Sequence, residues 1–177
     1  MDDRVELIGG VERRAIVLVE PDPAWPARFE RERARIAAAL GDGALRIDHI
    51  GSTAVPGLVA KPIVDVQVTV PDVEDEAAYV PALVAAGYVL RVREPGHRML
   101  RPPALDVHVH LCDPHSDWGE RHRRFRDRLR ASDADRERYA AVKRELAAQE
   151  WPDMNAYADA KSAVVAEILG RAAAAGD

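Results

Sequence analysis

The chain has 177 residues, 47% apolar and 31% charged, with a formal net charge of −5, which suits one globular domain with a proper core. No long apolar run is present to form a transmembrane helix, the start MDDRVELIGG lacks the layout of a signal peptide, and the negative balance argues against a general nucleic-acid coat. The lone Cys112 cannot form an intramolecular disulfide, and that fits a reducing cytoplasm.

Residues 1–14 are polar and aperiodic, and read as a flexible arm with room for one short ordered piece. The apolar run Ala15–Glu20 reads as a strand. Asp22 and Pro23 then open a helix that carries Trp25, Phe29, Ile36 and Leu40 at near-helical spacing. Asp42-Gly43 turns the chain into a strand reaching His49. Beyond Val70, Pro71-Asp72 is expected to open a helix of about 13 residues that stops at Gly87. Tyr88–Arg93 and Arg98–Arg101 read as strands joined through Glu94-Pro95-Gly96. Leu105–Leu111 alternates cleanly, which places Asp106, His108 and His110 on one face. From His115 onward the chain reads as helical, with breaks at Ser132-Asp133 and at Trp151-Pro152-Asp153. The sum is an α+β fold: a mixed sheet of about five strands, helices against it, and a helical C-terminal third. Residues 15–170 are expected to form a single domain and 171–177 a frayed end.

Functional information concentrates in HIGSTAVPGLVAKPIVDVQVTV, His49 to Val70. Asp65 and Gln67 are two apart on a strand, so both side chains project from one face. Gly51 allows close backbone approach to a ligand, and Ser52 offers a hydroxyl and an amide to a phosphate or carboxylate oxygen. The same dipeptides, Gly-Ser, Pro-Gly and Lys-Pro, also serve as plain turn punctuation. If the strands bearing Asp65 and His110 are neighbours, then His49, His108, His110 and Asp65 would make a ligand set suited to a transition metal. The run RHRRFRDRLR holds six arginines against one aspartate; helical geometry turns at least half of them to solvent.

The segment from His49 to Val70 resembles the signature of the GrpB family, and more distantly that of the nucleotidyltransferase superfamily that includes polymerase beta. The GrpB resemblance extends to Pro21–Trp25 with Phe29, the HVHL strand, Arg121-His122 through Arg130, Tyr139 with Lys143, and Tyr157 with Lys161. It implies a nucleotidyltransferase-like fold and transfer from a nucleoside triphosphate to a small acceptor. The alternative is a non-catalytic module that binds a nucleotide or a coenzyme A related metabolite, since related domains are joined to the kinase that phosphorylates dephospho-CoA. In the superfamily, paired carboxylates hold divalent metal, so Mg2+ (or Mn2+) is expected on Asp65 with Asp106 as the carboxylate near the third position. Asp65, Gln67, His108 and His110 become the expected catalytic group. His49, Gly51, Ser52, Thr53, Lys61, Arg126 and Lys161 become the expected phosphate or substrate contacts, with Arg121 or His122 beside Arg126 as a clamp. Gln67 departs from the superfamily pattern, because an amide lacks the negative charge a hard cation prefers.

Overall fold

The computed structural model describes residues 5–11 and 15–175. Among these, six strands form one sheet: β1 (Glu6–Leu7), β2 (Arg46–Ile50), β3 (Val64–Thr69), β4 (Val89–Glu94), β5 (His97–Arg101) and β6 (Val107–Cys112). Their order is β1-β4-β5-β6-β3-β2, and only the central β3–β6 pair is parallel. The helices are α1 (Trp25–Leu40), α2 (Val80–Ala85), α3 (Asp117–Ala131), α4 (Asp133–Ala147), α5 (Met154–Ala160) and α6 (Ser162–Ala175).

The central strands alternate between two environments. Val64, Val66 and Val68 of β3 and Val107, Val109 and Leu111 of β6 are buried in one core with Trp25, Phe29 and Ile36 of α1 and Leu83 of α2. Each such side chain contributes roughly 1.5–3 kcal/mol on leaving water. The opposite face of the same strands carries Asp65, Gln67, His108 and His110. A second cluster joins Leu129 of α3, Tyr139 and Ala140 of α4, and Val164 and Ile168 of α6 to Val55, Leu58 and Val59, in the loop between β2 and β3. That loop is therefore clamped by the C-terminal helices and becomes part of the rigid frame.

Several local expectations change. The sixth strand is Glu6–Leu7, inside the segment read as an arm, where Glu6 pairs with Arg93 and Leu7 with Val92. Residues 1–4 and 12–14 lie outside the described residues. Ala15–Glu20 makes only an isolated bridge, Val19 with Ala60. Helix α1 begins two residues later than expected, with Asp22 Oδ1 accepting from the Ala24 amide at 2.8 Å. The long helix after Asp72 shortens to a 3-10 turn at Glu76–Ala78 followed by α2, with Pro81 near its start. A proline lacks the donor that would carry a helix through from Asp72. Helix α6 runs through Ala175 with Ala172 buried, so residues 171–175 continue the packed helix. The breaks at Ser132 and Asp153 hold: each side chain caps the following helix, Ser132 Oγ accepting from Asp135 N and Asp153 Oδ1 from Asn155 N and Ala156 N.

Candidate functional site

Parallel pairing of β3 with β6 sets Asp65 opposite His108 and Gln67 opposite His110. His110 reaches diagonally, so its Nε2 lies 3.2 Å from Asp65 Oδ1, and His108 Nδ1 lies 3.4 Å from the same oxygen. One carboxylate oxygen is thus the focus of two imidazoles. Burial of the Asp65 carboxyl pushes its pKa up, but the imidazoles of His108 and then His110 outweigh that and hold it well below the usual carboxylate range. Asp65 remains an anion.

Gly51 shapes the rim. It adopts φ 72°, and a Cβ built on it would lie 2.4 Å from Asp65 Oδ2. Only glycine allows the turn after β2 to press against this carboxylate. Ser52 then starts a 3-10 turn at Ser52–Ala54. Its Oγ lies 3.0 Å from Nζ of Lys143, which also donates to the Val59 carbonyl. Lys143 is buried, and its pKa falls to about 6, first because of desolvation and then because Lys161, Lys61 and Arg144 crowd it with positive charge.

Asp65, His108, His110, Gly51, Ser52, Lys61, Lys161, His122 and Tyr139 share a cleft of 290 Å³. Lys161 lies on the otherwise apolar stripe of the C-terminal helices because its ammonium faces this cleft, above the Tyr157 ring at 4.6 Å from the centroid. Its pKa drops to about 8 through burial and then Lys61, while Asp65 pulls it the other way. Lys61 approaches the same ring at 5.5 Å. His122 Nδ1 donates to the Trp118 carbonyl at 2.7 Å, and burial lowers its pKa to about 4, so it is neutral. With one N–H committed, the other ring nitrogen is an acceptor.

Other expected contacts lie elsewhere. Gln67 is fully buried beneath α3: in the amide orientation that satisfies both atoms, it donates to Gly119 O at 3.3 Å and accepts from Arg123 Nη1 at 2.5 Å. Helix α3 can approach this closely because a Cβ at Gly119 would stand 2.8 Å from the Gln67 amide. Asp106 pairs with Arg28 of α1. Leu105 before it has φ 60°, and the strand begins only at Val107, so the alternation does not extend to Asp106. Arg126 donates to the His49 carbonyl at 3.0 Å and pairs with Asp127, which makes it a tie between α3 and β2. His49 stacks on Phe29 at 4.7 Å and shares a 3.0 Å hydrogen bond with Thr53. Burial lowers the His49 pKa to about 4. Both residues line a separate cavity of 650 Å³ with Trp25 and Arg130. It is the larger hollow, but the Asp65 cluster is not in it.

Sequence reasoning did not single out Glu94 and His97, and it had Trp118 only as an apolar helix residue and Lys143 only as part of the GrpB resemblance, together with Tyr139. Trp118 stacks on His97 at 4.3 Å and on His122 at 3.8 Å, which roofs the histidines. The local signal was thin: a histidine at a strand start and a lysine inside an amphipathic helix.

The donor set can be tested against a cation. Among the described residues, Asp65, His108 and His110 form a group whose candidate ligand atoms lie within 4.8 Å of one another. His108 Nε2 is buried without a hydrogen-bond partner, so one of its nitrogens has no structural commitment. One carboxylate and two imidazoles fit Mn2+, Fe2+ or Zn2+ better than Mg2+, which prefers oxygen ligands. No helix among the described residues is long and apolar enough to cross a membrane.

Comparisons with known proteins agree with this architecture. A UPF0157 protein of Streptomyces coelicolor is 52% identical over 171 residues, covering 97% of this chain and 91% of that protein. A dephospho-CoA kinase of Mycobacterium bovis is 48% identical over 83 residues, which is 44% of this chain and 20% of the kinase. The crystal structure of the conserved protein GrpB from Enterococcus faecalis superposes with a TM-score of 0.77 at 30% identity, covering 88% of this chain and 96% of that one. The GrpB protein family model matches residues 15–171, the span that carries strands β2 to β6, the Asp65 cleft and the clamping helices, and the chain belongs to the GrpB family.

Proposed function

We propose that the Asp65 cleft binds a phosphate-bearing small molecule with a divalent ion, and that it transfers a nucleotidyl or related group from a nucleoside triphosphate to a small acceptor. The observation that carries this reading is the division of charge in one cleft. Asp65 with His108 and His110 forms a cation-binding side, while Lys61, Lys161 and the Lys143-backed Ser52 form an anion-binding side. A metal–phosphate complex presents both charges at once.

The ion would supply Lewis-acid polarisation of a phosphate oxygen, held by Asp65, His108 and His110. Lys161 and Lys61 would offset the remaining phosphate charge. An anion near Ser52 favours the charged form of Lys143; the ammonium then donates to Ser52 Oγ and to the Val59 carbonyl. That turns the Ser52 hydroxyl proton toward the cleft, where it donates to a phosphate oxygen. His122, neutral and roofed by Trp118, offers an acceptor for the proton of an incoming hydroxyl or amine.

A second reading has its own support. Gln67 lies under α3, so Asp65 has no second carboxylate beside it in the group with His108 and His110. The similarity to a segment of a dephospho-CoA kinase points to a coenzyme A precursor as an alternative ligand. That combination favours a binding module that holds its ligand without turning it over. Calorimetry with nucleoside triphosphates and coenzyme A precursors, each with and without Mn2+, Mg2+ or Zn2+, separates ligands. Pyrophosphate release on adding small acceptors separates transfer from binding. Ion-dependent binding without turnover would leave the module; no binding of either class would remove both readings.

A further inference from the structure

A chain of side-chain contacts leads from the Asp65 cleft to the edge of the β4–β5 hairpin. Asp65 Oδ1 lies 3.2 Å from His110 Nε2, His110 Nδ1 lies 3.0 Å from His97 Nε2, and His97 Nδ1 lies 2.6 Å from Glu94 Oε1. His97 is buried between the His110 and Trp118 rings, with centroids at 5.3 and 4.3 Å. Glu94 keeps some solvent contact.

Donor and acceptor accounting gives this chain a direction. A carboxylate only accepts, so the nitrogen facing Glu94, His97 Nδ1, carries a hydrogen. A neutral His97 then has a lone pair on Nε2, and the hydrogen between the two rings belongs to His110 Nδ1. A neutral His110 therefore turns a lone pair on Nε2 toward Asp65 Oδ1, which is itself an acceptor. Two acceptors at 3.2 Å repel unless a metal ion lies against both or a second proton on His110 Nε2 bridges them.

We infer that Glu94 and His97 are positioning residues that hold the His110 proton on Nδ1, so that His110 Nε2 and Asp65 Oδ1 are presented together to one cation. The inference rests on the reading of Asp65, His108 and His110 as a cation centre. It adds a second layer to that centre: Glu94 orders His97, His97 orders His110, and Trp118 stacks on His97 and packs at a tilt against His110. Such outer groups raise ligand basicity and fix ring orientation, and their loss typically lowers metal affinity about ten- to a hundredfold.

The test uses Zn2+ and Mn2+ with the full chain, read by competition with a chromogenic chelator and by 15N imidazole spectra. Glu94→Gln should lower Zn2+ affinity about ten- to a hundredfold and shift the His97 and His110 protons to Nε2, while the melting temperature of the ion-free protein stays near that of the unmodified chain. His97→Phe keeps an aromatic ring against Trp118 but ends the relay, and should lower affinity by a similar factor. Unchanged affinity in both variants, or a His110 that carries its proton on Nε2 in the Zn2+-loaded unmodified protein, would overturn the inference. If the unmodified chain binds neither ion, the metal reading falls, and the His97 tautomer then decides the relay alone: Nδ1–H keeps it and Nε2–H removes it.

Discussion

Ser52 Oγ and Lys143 Nζ, 91 positions apart in sequence, stand 3.0 Å from each other, and the other hydrogen bond of that amine goes to the Val59 carbonyl. A buried lysine held by neutral partners has a folded-state pKa near 6 against an ordinary 10.5. The folded chain therefore binds fewer protons than the unfolded chain between those values, and stability rises with pH across that window. Below about 6 both states carry the proton and this contribution is flat. Replacing Lys143 with Met should remove most of that slope and raise stability near neutral pH. Urea midpoints from pH 5 to 10 measure it; identical slopes in both proteins would show that Lys143 is charged in the fold.

The same amine makes ligand binding depend on pH. A phosphate in the cleft favours charged Lys143, so binding takes up a proton where the empty site is neutral. Affinity for a nucleoside triphosphate should fall as pH rises from about 6 toward 8, with Lys161 losing its charge over the upper part. Calorimetry in buffers of different ionisation enthalpy counts the proton. An affinity independent of pH over this range, with no proton uptake, would contradict the role given to Lys143.

Asp65 should couple the ion to the ligand. With Asp65→Asn the centre keeps two imidazoles but loses its negative ligand, so Mn2+ affinity should fall at least about tenfold and nucleotide binding should no longer respond to Mn2+. Titrations of Mn2+ with and without nucleotide read this directly. Intact coupling in the variant would move the ion elsewhere.

Gln67 behaves as a structural residue. Sequence reasoning alone expects Gln67→Asp to strengthen ion binding by restoring a carboxylate pair, but this side chain is enclosed by Gly119 and Arg123 under α3. Gln67→Asp should therefore leave Mn2+ affinity unchanged. Gln67→Leu should cost about 1–3 kcal/mol, because Arg123 and the Gly119 carbonyl lose their partner in a buried place. For a chain of this size that is a drop of roughly 2–4 °C in melting temperature per kcal/mol. A gain in Mn2+ affinity for Gln67→Asp would restore the two-carboxylate picture.

Gly51→Ala should damage the site more than the fold. The added Cβ meets Asp65 Oδ2 at 2.4 Å and must be held at φ 72°, a left-handed conformation costing roughly 1–2 kcal/mol for a residue with a side chain. The carboxylate must turn away from His110, so ion binding should fall sharply in a protein that still melts cooperatively. Full ion affinity in Gly51→Ala would exclude this turn from the site.

What the chain determined by itself was local. Period-two alternation in VHVHL puts His108 and His110 on one side of a strand wherever that strand lies, and the Gly51-Ser52 turn announces a close approach because glycine alone tolerates it. The helical spacing of Trp25, Phe29 and Ile36 likewise marks a buried face, and the GrpB resemblance was legible from short motifs kept in order. Strand neighbours were decided by the tertiary fold. Asp65 meets His110 only because β3 and β6 pair in parallel with Gln67 opposite His110, a relationship between segments some forty residues apart with no local signature. The same folding gave residues of equal parity different fates: Asp65 opens to the cleft, while Gln67, two positions on, lies under α3 where Gly119 permits contact. Asp106 lost its place through the turn at Leu105, and Lys143 and His97 entered the site through packing alone. Side-chain direction along a strand follows from backbone geometry; what covers that side chain follows from helices that arrive much later in the chain.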